Sequence, residues 1–141
     1  KLYAAGGLSE AENFASSNLV ERYDFATKSS EAVAPMEEAR FDLAVAVLDG
    51  TLYAVGGAND DDDGALSSVE RYDPALDAWE AVAPLATARQ AHVVVVLDGK
   101  LYALGGANDD DDGALSSVER YDPAVGAWEE VAPMTTARES H

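Results

Sequence analysis

One pattern recurs three times along the 141 residues, and it limits the fold more than any other feature of the chain. Leu2-Tyr3-Ala4-Ala5-Gly6-Gly7 returns as Leu52 to Gly57 and as Leu101 to Gly106, at steps of 50 and 49 residues. Val20-Glu21-Arg22-Tyr23-Asp24 returns as Val69 to Asp73 and as Val118 to Asp122. Val33-Ala34-Pro35 returns as Val82 to Pro84 and as Val131 to Pro133. The second and third copies are nearly identical, and the first has drifted.

Each copy reads as four short strands separated by turns. The first is His92-Val-Val-Val-Val-Leu-Asp-Gly99, in which Asp98-Gly99 is a hairpin signal. Four successive valines leave no polar face, so this strand is expected to be buried on both sides. Lys100-Leu-Tyr-Ala-Leu-Gly-Gly106 is the second, and its paired glycines permit positive φ or close backbone approach. In the third, Ser67-Ser-Val-Glu-Arg-Tyr-Asp-Pro74, alternation puts Val69 and Arg71 on one side and Glu70 and Tyr72 on the other; Pro74 ends the pairing. The fourth is Ala78-Trp-Glu-Ala-Val-Ala-Pro84, with Trp79 and its counterpart Trp128 as apolar anchors. No long segment has a helical period. Four antiparallel strands in a repeat near 50 residues fit one blade of a β-propeller.

The chain resembles the kelch family. The resemblance rests on Gly56-Gly57 and Gly105-Gly106, on Tyr72 and Tyr121, and on Trp79 and Trp128, with six residues between each Tyr and its Trp. It spans essentially the whole chain and implies three blades, approximately residues 1–42, 43–91 and 92–141, radiating from a central channel. It also implies that a partner protein binds at one end. Ser30 stands where the other copies have tryptophan, so the first blade is expected to pack its outer strand more loosely.

Aligned on the repeat, His141 matches His92 and Lys1 matches Lys100, and no copy of Val93 to Gly99 joins them. The reading is therefore an all-β, kelch-like propeller segment with eleven of twelve strands, the first blade lacking its inner one. Three blades are fewer than a propeller needs. Either further blades come from a longer chain, or a homo-oligomer of two copies closes the ring; we favour the longer chain because a bare pair would leave strand edges open.

The stretch Ala58-Asn-Asp-Asp-Asp-Asp-Gly-Ala-Leu-Ser-Ser-Val-Glu-Arg-Tyr-Asp73 recurs unchanged from Ala107 to Asp122. Strand direction alternates within a blade, so these loops, which follow the second strand, share an end with the loops that follow the fourth. The kelch resemblance makes that end the binding face and points to Asn59, Asp60, Arg89, Gln90, Asn108, Asp109, Arg138 and Glu139 as partner contacts. Arg89 and Arg138 are equally suited to holding their own loops by bonding carbonyls. Asn59, Asp61, Asp63 and Glu70, and likewise Asn108, Asp110, Asp112 and Glu119, fit the spacing of a calcium loop with Asn in the first place. Against calcium, strands and not helices flank the loops, and Glu21 keeps the glutamate without any aspartate run. The alternative is a solvated acidic loop that keeps a repetitive β-protein soluble.

Acidic residues number 27 against 9 basic, a net charge of −18, which repels nucleic acid and anionic membranes and suits a partner with a basic segment. There is no cysteine, so disulfides and thiolate metal sites are excluded and the compartment stays open. No hydrolase, metalloprotease or phosphate-loop motif occurs, and a duplicated acidic loop does not bring unlike groups together, so no enzyme and no cofactor other than calcium is expected. Ser67-Ser68 and Ser116-Ser117 read as polar turns, and His92 as the opening of an inner strand. The sequence thus describes a rigid protein-binding or scaffolding module, or alternatively a calcium-stabilised repeat.

Overall fold

The computed structural model describes residues 1–61, 64–109 and 113–141. Its principal strands form one three-stranded and two four-stranded antiparallel sheets, each a blade. Blade 1 consists of Leu2–Ala5, Val20–Asp24 and Ser29–Val33. From inner to outer strand, blade 2 is Ala44–Leu48, Thr51–Val55, Val69–Asp73 and Ala78–Val82. Blade 3 follows the same order with Val93–Leu97, Lys100–Leu104, Val118–Asp122 and Ala127–Val131. The hairpins at Asp49-Gly50 and Asp98-Gly99 carry positive φ at both residues, as a turn matched to strand twist requires.

The period of two along each strand decides which blade interface a side chain enters. Leu52, Ala54 and Tyr72 of blade 2 join Val20 and Met36 in a core between blades 1 and 2. Tyr53, Val55 and Val69, on the opposite face of the same strands, join Leu101, Ala103 and Tyr121 between blades 2 and 3. Blade 2 is thus a sheet apolar on both faces, and its stability depends on its neighbours.

The aspartate loops are not open coil at their bases. Ala58–Asn59 pairs with Gly64–Ala65, and Ala107–Asn108 with Gly113–Ala114, as two-residue ribbons. The corresponding segment of blade 1 pairs Leu8–Ser9 with Ala15–Ser16 around a short 3-10 turn at Glu10–Glu12.

The inner strands differ from the expectation of burial on both faces. Val95, Val96 and Leu97 are exposed at 44%, 43% and 57%, and Val45 and Val47 at 43% and 56%. Val95 and Leu97 share the face of blade 3 that meets no further sheet among the described residues, Val96 is exposed on the opposite face, and Val45 and Val47 line a groove beside Leu2 and Tyr3.

Candidate binding face and the joints that hold it

The loops after the second and fourth strands meet at one end of the blades. Phe41 bridges to Ala58 and Gln90 to Ala107, so each fourth-strand loop lies against the base of the next acidic loop. The first aspartate of each run reaches back to the preceding blade. Asp60 accepts a hydrogen bond from the Ser16 amide at 2.6 Å, and Asp109 from the Ala65 amide at 3.0 Å. The Ser16 amide and hydroxyl hold the Asp60 carboxyl below the usual carboxylate range. These two aspartates are hooks between neighbouring loops, while Asp61 is exposed.

Beneath the loops lie two charged joints. Arg40 is fully buried and donates to the Glu70 carboxylate at 2.9 Å and to the carbonyls of Gly56 and Ser68 at 2.8 and 3.0 Å. Glu70 also accepts the amides of Glu37 and Glu38. One joint along, Arg89 donates to Glu119 at 2.7 Å and to the carbonyls of Gly105 and Ser117 at 2.8 and 3.1 Å. Glu119 accepts the amides of Ala86 and Thr87. In each joint the glutamate belongs to the later blade and the arginine to the loop leaving the earlier one. The glycine pair is required here: Gly56 has φ +57°, and a Cβ on it would come within 2.5 Å of the Arg89 carbonyl oxygen.

The outer strands add a second tie. The Trp79 indole donates to the Ala34 carbonyl of blade 1 at 2.8 Å, and Trp128 to Ala83 of blade 2 at 2.9 Å. Tyr72 lies beside Trp79 with ring centroids 5.3 Å apart, and its hydroxyl donates to Asp77. Burial, with the Asp77 carboxylate second, raises the Tyr72 hydroxyl pKa to about 12. Ser30, in the tryptophan's place, is exposed and donates to Glu21.

Several of the expected site residues therefore have other employment. Arg89 is fully buried and has no surface to offer a partner; the carbonyl-bonding alternative describes it, with an ion pair added. Glu70 and Glu119 are 2% and 1% exposed, and Arg40, Arg89 and backbone amides occupy their carboxylates, so they do not close a calcium loop. Asp63, Asp110 and Asp112 lie outside the described residues. Asn59 is buried and donates to Glu38, Gln90 and Asn108 are half-buried, and Asp60, Asp109, Arg138 and Glu139 are exposed. Among the described residues no group of three or more His, Cys, Asp or Glu side chains could hold a metal ion. Arg40 was not singled out from the sequence. Its signal was there: Arg40, Arg89 and Arg138 recur in step with Glu21, Glu70 and Glu119.

His92 occupies, at the second joint, the place that Leu43 has at the first: Leu43 abuts Gly57, and His92 abuts Gly106. It is 6% exposed, and neither ring nitrogen has a hydrogen-bond partner among the described residues. Burial pushes its pKa down to about 3, and the charges of Arg89 and His141 act in the same direction. Above pH 6.5 the imidazole is neutral in folded and unfolded chains alike. Below it the unfolded chain takes up a proton that the folded chain refuses, so stability falls with pH until the folded value is reached. Replacing His92 by Leu should remove this dependence. The stability of His92→Leu relative to wild type is expected to grow by about 2 kcal/mol between pH 6.5 and 4.5 in urea titrations. A difference that stays constant across that range would refute it.

The comparisons with known proteins agree with this architecture. The model of the Kelch motif matches residues 39–86 and 88–135, more than half of the chain. No curated protein matches the sequence. Among solved structures, one described as the structure of YjhT superposes with a TM-score of 0.77 at 19% identity over 92% of this chain. The match takes in 48% of that structure's own chain, so the present chain spans about half its length. Three antiparallel sheets packed face to face, tied by repeated arginine–glutamate joints and matched twice by the motif model, make this chain a member of the kelch-repeat family and its blades part of a kelch β-propeller.

Proposed function

We propose that the chain is a protein-binding module whose acidic end receives a partner's basic segment. Kelch repeats commonly mediate protein–protein interaction. The observation that carries the reading is the hooking of each acidic loop to the loop before it, Asp60 to Ser16 and Asp109 to Ala65. Those hooks hold the bases of like-charged loops side by side, against the repulsion that a net charge of −18 entails. Such a cost is understandable where the resulting field attracts a cationic partner and speeds its encounter. The module is read as a binder without catalysis. The charged groups buried at the joints neutralise one another, which leaves no acid or base there with a free task. Calcium is not part of the proposal, since the glutamates that would complete each loop are held by arginine.

A lysine-rich peptide is a suitable first probe. Raising the salt from about 0.05 to about 0.3 M should weaken its binding on the order of tenfold, because exposed charges are screened within a shorter distance. Replacing Asp61, Asp62, Asp63, Asp110, Asp111 and Asp112 by Asn, with the hooks Asp60 and Asp109 kept, should abolish most of the affinity and the salt dependence together. Binding indifferent to both changes would refute the proposal.

A further inference from the structure

We propose that the acidic end receives its partner in two parts: the aspartate loops of blades 2 and 3 take the basic segment, and Phe14 of blade 1 takes an apolar side chain that flanks it. This rests on the proposed function and specifies the partner further. Phe14 is 63% exposed. Its backbone has φ +63°, directly after Asn13 at φ +58°. A bulky side chain in the left-handed region is strained where glycine is not, and such strain collects at sites that bind or switch. Phe25 is also exposed, but its φ is negative and its ring lies against Tyr23 with centroids 5.0 Å apart. Among the described residues no aromatic ring packs on Phe14.

The position of Phe14 in the repeat bears on its use. Ala15–Ser16 pairs with Leu8–Ser9 as Gly64–Ala65 pairs with Ala58–Asn59, so Phe14 directly precedes the second ribbon strand of its loop. At that position the sequences of the other two loops have Asp63 and Asp112. Blade 1 therefore carries an aromatic ring where its neighbours end a run of carboxylates. Hydrogen bonds fix the turn: the Phe14 amide donates to the Ser9 carbonyl at 2.7 Å, and the Asn13 amide to the Glu10 carbonyl at 3.2 Å. Two residues on, the Ser16 amide is bound to Asp60, so Phe14 stands on the side of its loop next to blade 2.

Charge selects the occupant. A second copy of the chain would bring another net charge of −18 to the same end, and an anionic membrane would be repelled likewise. A basic protein segment is attracted. With its cationic residues over blades 2 and 3, one end of that segment lies over blade 1. An aliphatic or aromatic residue at that end would leave water against Phe14, adding affinity at an apolar anchor while the aspartates govern encounter.

The probes are octalysine, Leu-Gly-octalysine and octalysine-Gly-Leu. One of the two leucine peptides should bind the intact chain on the order of tenfold more tightly than octalysine, the gain expected from burying one leucine side chain. In Phe14→Ser that peptide should lose its advantage and bind as octalysine does. Phe14→Gly should abolish the advantage too, with a urea midpoint no lower than wild type, because the ring is exposed and the left-handed backbone suits glycine. Equal affinities of all three peptides for the wild-type chain would overturn the inference while leaving the acidic end a binder of basic segments. So would a leucine advantage that survives in Phe14→Ser, or a marked fall in the midpoint of Phe14→Gly, which would mean that the ring serves the fold. If octalysine itself does not bind, the acidic-end reading fails and this inference fails with it.

Discussion

Replacing Glu119 by Ala should destabilise the chain by about 3–5 kcal/mol, because it leaves the Arg89 guanidinium buried without its counter-charge. Arg89 is fully buried, and Glu119 also accepts the amides of Ala86 and Thr87, so the substitution orphans one cation and two backbone donors. Arg89→Met should cost less than Glu119→Ala, since the carboxylate keeps those two amides. The double variant should be more stable than the sum of the single losses predicts, as coupled partners require. The joint connects blade 2 to blade 3, and stability in stacked repeats is carried by nearest-neighbour interfaces. Urea titration followed by indole fluorescence is therefore expected to lose cooperativity in Glu119→Ala, with Trp128 of blade 3 reporting before Trp79 of blade 2. Arg138 is the control: it occupies the same place in the repeat, is exposed, and should be replaceable by Met with stability unchanged within error. Equal losses for Arg89→Met and Arg138→Met would show that the buried pair is not what joins the blades.

That joint marks the boundary of what could be read from the amino acids. The strands, the Asp-Gly hairpins, the tryptophan anchors and the blade without its inner strand were all legible, because each has a local signature or follows from aligning three copies. A link between Arg40 and Glu70 has no local signature, since the partners stand 30 residues apart and each looks like an ordinary surface charge. Period-two alternation did place Glu70 on the face of Tyr72, but burial of a charge becomes evident only when its counter-ion does. The kelch resemblance led in the wrong direction at Arg89, by assigning it to the surface of the loops when the chain folds it under them. The valines misled for a different reason. An apolar strand states that it can be covered on two faces, and whether a neighbour is there to cover it is not encoded in the strand. At the aspartate runs, charge dominates every local rule, and a hook such as Asp60 on Ser16, between residues 44 positions apart, is invisible until the blades are set side by side.

Trp79→Ala should rival the joint in its effect, with a loss of about 3–5 kcal/mol, the range for emptying a buried indole site. Trp79 is 8% exposed and packs in the core between blades 1 and 2 with Val20, Met36 and Tyr72. Its indole donates to Ala34, so truncation also strips the hydrogen bond that ties the outer strand of blade 2 to the end of the outer strand of blade 1. Trp79→Phe separates the two contributions: it keeps most of the apolar surface and should lose only about 1–2 kcal/mol, from the unmade hydrogen bond and the smaller ring. Trp128 makes the same bond to Ala83 but is only half-buried, so Trp128→Ala should cost about half as much as Trp79→Ala. The order of midpoints in urea is then wild type, Trp79→Phe, Trp128→Ala and Trp79→Ala, from most to least stable. The reverse order for the two alanine variants would mean that the outer strands bear on stability by something other than the burial of these rings. If Trp79→Phe falls as far as Trp79→Ala, the tie to Ala34 outweighs packing.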